Sequence, residues 1–201
     1  MNAMRLAVLT GCVAFVLAGC ASPPQADVDA VNAALDSAQQ AEASEYAPES
    51  FAAAQDAKAQ LDAELKAQED KFALMRSYSK ATELAGAAKA AAEKAAQDAA
   101  SGKERARAEA SQLITEAQTA IDEAKAALDK APRGKGSQAD IDAMKADLAG
   151  TETALAEANS AMAAGQYLQA KAKAEAAKTT ATNVKTSVEQ AIEAVKSARN
   201  R

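Results

Sequence analysis

The sequence predicts an all-α protein in which tandem antiparallel helical hairpins form an elongated, coiled-coil-like bundle. Three observations carry this. Alanine supplies roughly three residues in ten and Glu, Lys, Gln and Asp dominate the rest, a composition typical of long helices. Apolar residues recur at alternating spacings of three and four over most of the chain, which is the seam of a coiled coil. The four prolines, at 23, 24, 48 and 132, fall where the apolar pattern starts or stops.

The chain opens with Arg5, then an apolar run from Leu6 to Val16 broken only by Thr10 and Gly11, then small residues leading to Cys20. That order is a secretory signal, and the run is too short to span a bilayer. Leu17-Ala18-Gly19-Cys20 resembles the lipobox of bacterial lipoproteins. The resemblance implies that residues 1–19 are a cleaved signal peptide. It also implies that the Cys20 thiol receives a diacylglycerol and that the new terminal amine is acylated. Several acyl chains on one cysteine anchor a protein stably, whereas one chain is marginal. Residues 20–26 then form a lipidated tether, extended at Ser22-Pro23-Pro24 because proline stiffens the chain and cannot donate to a helix. Ala21 follows the cysteine. By resemblance to enterobacterial sorting, where Asp at that position retains lipoproteins in the inner membrane, it implies the periplasmic face of the outer membrane.

Residues 27–131 read as a first helical unit. Its opening helix runs from Asp27 to Ala43, with Val28, Val31, Leu35 and Ala38 on one face. A hairpin over 46–131 follows. Tyr46-Ala47-Pro48-Glu49 starts it, since proline suits the first helical position and an acidic side chain favours the positive helix end. Its first arm places Phe51, Ala54, Leu61, Leu65, Phe72 and Met75 on one stripe, with Lys58 and Gln68 as weak positions, and the chain reverses near Arg76-Ser77. From Tyr78 the stripe is Ala81, Ala85, Ala88, Ala92, Ala95 and Ala99, then Gly102, Ala106, Ala110, Leu113, Ala117, Ile121, Ala124, Leu128 and Ala131. The stripe keeps phase through Ser101-Gly102, where a lone interior glycine costs only about 1 kcal/mol, so one helix of about 80 Å is expected from Tyr78 to Ala131.

Residues 132–137 are a loop, with Pro132-Arg133-Gly134-Lys135-Gly136 as its signal, and Ser137 with Asp140 resembles a capping box. A second hairpin covers 138–201. Ile141, Met144, Leu148, Leu155, Ala158 and Met162 stripe its first arm, and Ala164-Gly165 stops it. Its second arm carries Tyr167, Ala170, Ala174, Ala177, Ala181, Val184, Val188, Ala191, Val195 and Ala198. Tyr78, Ala81, Ala85 and Ala88 align with Tyr167, Ala170, Ala174 and Ala177, an internal repeat in which the tyrosines plug helix–helix turns. Alanine seams let backbones approach closely, but each buried methyl contributes only on the order of 1 kcal/mol.

Composition excludes much chemistry. Histidine and tryptophan are absent, and the two cysteines are Cys12, inside the signal, and the lipidated Cys20. Common nucleophile–base pairs and the usual zinc sites therefore cannot be built, and no catalytic, cofactor-binding or metal residue is expected. An enzyme working through carboxylates alone would need a concave pocket, for which aromatic material is scarce. Net charge is −5, so nucleic acid is a poor partner. Lys103, Arg105 and Arg107 read as a solvated helix face. Glu69-Asp70 and Asp122-Glu123 lack calcium-loop spacing.

Tyr46-Ala47-Pro48, the Ala-rich heptads, and Tyr78 leading into Ala81, Leu84, Ala85 and Ala88 resemble an uncharacterised family of helical-hairpin bacterial envelope lipoproteins. Members of that family often carry a lipobox and are sometimes fused to peptidoglycan-binding domains. The match covers roughly residues 46–100, with an echo over 139–198, and no such domain follows here. The family has no established activity to carry over, and no enzymatic activity is expected. The expected role is a lipid-anchored periplasmic spacer or adaptor that touches the membrane through its N-terminal lipid and meets a protein partner in the envelope. The alternatives are an amphiphile-binding helical protein and, more remotely, a cell-wall enzyme with carboxylates as acid and base. The alanine seams can pair within one chain or between copies, so a homo-oligomer stays open.

Overall fold

The structure, a computed structural model, describes residues 22–131 and 138–199. The signal segment, Leu17, Ala18, Gly19 and Cys20 of the lipobox, the loop over 132–137 and residues 200–201 lie outside the described residues. The described residues form six α-helices and no strand: α1 (Gln25–Gln40), the single turn α2 (Ala43–Tyr46), α3 (Pro48–Glu69), α4 (Ser79–Asp129), α5 (Gln138–Ala163) and α6 (Tyr167–Arg199). A short 3-10 turn at Ala73–Met75 lies between α3 and α4. None of these helices is long and apolar enough to cross a membrane.

Long helices pack against one another as a bundle, and α4 is its spine. The 51 residues of α4 make a rod of about 75 Å at about 1.5 Å per residue, unbroken at Gly102. The first half of α4 carries α1 and α3. Val31 packs with Ala81, Ala85 and Ala88, while Ala34 and Ala38 join Ala92, Ala95 and Ala99, so α1 runs parallel to α4. Leu61 meets Ala81 to Ala88 and Ala54 meets Ala92 to Ala99, so α3 runs antiparallel. The second half of α4 carries α5 and α6. Ala110 packs with Ala161 and Ala170, whereas Ile121 and Leu128 share a cluster with Ile141, Leu148, Val184 and Val188. Each half is therefore an up-down-up triple of helices, and the third helix of one triple continues as the first of the next.

Local chemistry explains the boundaries. Pro48 occupies the first turn of α3, where its missing N–H costs nothing. α5 stops in a Schellman motif. Gly165 takes a φ of 77°, the Gln166 N–H donates to the Ala161 carbonyl at 2.9 Å, and the Gly165 N–H donates to Met162 at 3.2 Å. Lys196 and Arg199 close α6 at its negative end.

Two expectations need correction. Phe72 and Met75 do not continue the α3 stripe: α3 ends at Glu69, and both side chains are exposed. The buried Gln68 turns the chain there, because its Oε1 accepts the Ser77 N–H at 3.0 Å while its Nε2 donates to Glu64 at 2.6 Å. Val195 and Ala198 also lie on an exposed surface rather than on a packed face.

The reason for the second correction is a ladder that fixes register. Lys171, Lys178 and Lys185 of α6 bond Glu109, Glu116 and Glu123 of α4 at 2.5, 2.7 and 2.9 Å. Each pair is offset by 62 residues, and successive pairs are a heptad apart, as flanking charges are in a parallel coiled coil. On that offset the end of α4 at Asp129 is level with Ala191, so the last turns of α6 run past it. Lys173–Glu157 and Lys125–Glu152 tie α5 to α6 and to α4.

Candidate functional site at the junction of the two triples

Residues far apart in sequence converge where the two triples meet. After α1, Glu42 adopts a left-handed φ of 60°, uncommon for a residue with a Cβ, and this redirects the chain into α2. Tyr46, at the end of α2, is only 8% exposed and lies across α4. It lies so close to Gly102 that a Cβ there would stand 2.2 Å from the Tyr46 carbonyl oxygen. Only glycine permits that approach.

The Tyr46 hydroxyl extends toward the second triple. It points at the Gly165 carbonyl, a long contact of 3.5 Å, and its oxygen also faces the Tyr167 backbone N–H. Tyr167 packs on the same cluster as Tyr46 and Ala99. Burial raises the Tyr46 pKa, with the neighbouring Glu45 charge adding, so the phenol stays neutral at ordinary pH. Lys103 sits 5.6 Å from the Tyr46 ring centroid, within cation–π range, and bonds Glu42 at 2.9 Å. Its bond to the Glu42 carboxylate holds the Lys103 pKa above the usual lysine value.

Beside Tyr46 lies an open groove of about 420 Å³ whose walls include Glu49, Ser50, Asp98, Ser101 and Arg105. Asp98 accepts from both the Lys94 ammonium and the Ser50 hydroxyl, and these bonds, Lys94 first, hold its carboxyl below the usual aspartate value. A carboxylate stabilised in that way is a weak proton acceptor. The Ser50–Asp98 hydrogen bond ties α3 to α4.

The structure places the other sequence candidates as follows. Leu17, Ala18, Gly19 and Cys20 fall outside the described residues. Lys103 serves the junction, Arg105 lines the groove, and Arg107 lies 3.9 Å from Glu104. Asp122 accepts from Gln118, and Glu123 pairs with Lys185. Among the described residues, no three His, Cys, Asp or Glu side chains come together to hold a metal ion. Tyr78 is a buried plug beneath the α3–α4 turn, packed with Val28, Leu65 and Leu84. Tyr167 is only half-buried and belongs to the junction. Sequence spacing does not reveal the meeting of Tyr46 with Gly165 and Tyr167. The available signals are one tyrosine at a helix start, one unexplained glycine in α4 and one glycine stop.

Compared with known proteins, the chain matches no family model, no curated protein and no solved structure.

Proposed function

We propose that this chain is a lipid-anchored spacer or adaptor of the bacterial cell envelope, held through Cys20 at the periplasmic face of the outer membrane. On this reading its contribution is shape, and it belongs among the helical-hairpin envelope lipoproteins that it resembles. The observation that carries the proposal is the unbroken α4, which spans both triples and makes a rod of about 75 Å. The described chain enters beside the start of α4, where Val28 packs against the cluster that holds Tyr78 and Ala81, and it leaves along α6, past the level of Asp129. A rod tethered at one pole holds a partner at a set distance from a bilayer. The partner is expected to be a protein of the envelope, and pairing of two copies along the seams is open to the same test. The buried apolar residues face one another within the triples, which favours the spacer over an amphiphile carrier that opens its faces.

The test is metabolic labelling with palmitate, combined with crosslinking in intact cells. Label on the wild-type chain, its loss in Cys20→Ser, and recovery of a crosslinked envelope protein are expected. An unlabelled chain, or one that crosslinks to nothing, overturns the reading.

A further inference from the structure

The α3–α4 turn carries an exposed apolar surface. Phe72, Leu74 and Met75 are 72, 81 and 74% exposed, the three most exposed large apolar side chains among the described residues. Two polar side chains, Gln68 and Arg76, tie the segment back to α3. The Arg76 guanidinium donates to the Glu69 carbonyl at 2.8 Å and to the Lys71 carbonyl at 3.0 Å, satisfying the C-terminal end of α3. Gln68 accepts the Ser77 N–H from beneath. Tyr78 fills the space under the turn. The turn is thus fixed by its own hydrogen bonds with three large apolar groups pointing out, an arrangement with no folding benefit of its own.

Its position in the molecule indicates the occupant. Val28 packs against the buried cluster of Val31, Leu61, Tyr78 and Ala81, so the first residues of α1 lie beside the base of this turn. Gln25 is about one helical turn further toward that pole, and Ser22-Pro23-Pro24 precede it. Cys20 is two residues from Ser22, a reach of about 7 Å at most. A bilayer that holds Cys20 therefore meets this pole of the rod first. Glu69, Asp70, Lys71 and Arg76 balance in charge, so the contact needs no anionic lipid.

We propose that Phe72, Leu74 and Met75 form a bilayer contact, entering the headgroup–acyl boundary of the membrane that carries the lipid anchor and setting the rod upright on it. This rests on the lipid-anchor reading above, and the experiment separates the two.

The chain contains no tryptophan, so a single introduced indole reports alone. Leu74→Trp places it at the turn and Ala194→Trp at the exposed far end of α6, each in the full chain. Each is also made with Cys20→Ser, and all are checked for helicity. The probe is a phosphatidylcholine vesicle with and without brominated acyl chains. Blue-shifted emission and strong bromine quenching are expected for Leu74→Trp and neither for Ala194→Trp. Adding Phe72→Ser and Met75→Ser to Leu74→Trp should abolish its quenching. An acylated, vesicle-bound Leu74→Trp chain whose indole stays water-exposed overturns the turn contact while leaving the anchor intact. A chain without acylation overturns the anchor, and quenching of the Leu74→Trp indole in the Cys20→Ser background still supports the turn on its own. Loss of an envelope-protein crosslink in Phe72→Ser, with the Leu74→Trp indole unquenched by lipid, assigns the turn to a protein and overturns the proposal.

Discussion

Gly102 and the other helical glycines separate two roles of one residue type. At Gly86 and Gly150 an added Cβ meets nothing within 4 Å, so each glycine only weakens its helix. Gly86→Ala and Gly150→Ala are each expected to stabilise the fold by about 0.5–1 kcal/mol. At Gly102 the same change drives a methyl into the Tyr46 carbonyl oxygen, which is backbone and cannot rotate away. Gly102→Ala is expected to destabilise by about 1–3 kcal/mol despite its better helix propensity. Chemical denaturation of the three variants checks the contrast, and equal effects would remove the junction argument. From sequence, Gly102 is legible as a tolerated interruption of a stripe. Its purpose is not legible, because the group it admits belongs to a different helix and no local pattern connects the two.

At the scale of elements, the ladder between α4 and α6 sets pH behaviour. Hydrogen bonds from Lys171 and Lys178 hold the Glu109 and Glu116 carboxyls below the ordinary glutamate value of about 4.5. Their contribution is present above that value and is lost as pH falls through the lowered folded pKa. Bonds to Glu109 and Glu123 hold Lys171 and Lys185 above the ordinary lysine value of about 10.5, so their contribution is full below 10.5 and is lost as pH rises through the raised value. The thermal midpoint is therefore expected to be flat across neutral pH, to fall on both sides of that window, and to vary less in high salt. Glu116→Lys should lower it, and Lys178→Glu in the same chain should restore it. A double variant no better than either single would show that the ladder does not set register. The helices themselves are legible because a three-four period reports which face is apolar. It does not report where a partner ends, which is why the period alone makes Phe72, Met75 and Val195 look packed.

For the whole molecule, the two triples share a spine but not a core. Around the first half of α4, the buried large side chains among the alanines are Val31, Leu61, Tyr46 and Tyr78. Around the second half, Ile121, Leu128, Ile141, Leu148, Leu155, Val184 and Val188 fill the interior. Larger aliphatic side chains are interlocked there, and local opening follows local packing. Hydrogen exchange is expected to be slower at 114–128 of α4 than at 81–99, with a broad thermal transition instead of a single sharp one. Uniform protection along α4 would show that the spine opens as one unit. The all-α class and the long central helix are legible from composition and period. The shared-helix arrangement is not, because a stripe of alanines looks the same whether it serves one neighbour or two in succession. The parallel course of α1, α4 and α6 also governs mechanics. Tension applied between Ser22 and Arg199 loads α1 against α4 and α4 against α6 lengthwise, in shear. Contacts loaded that way must yield together instead of peeling apart one by one, so the molecule should stretch stiffly until it fails abruptly.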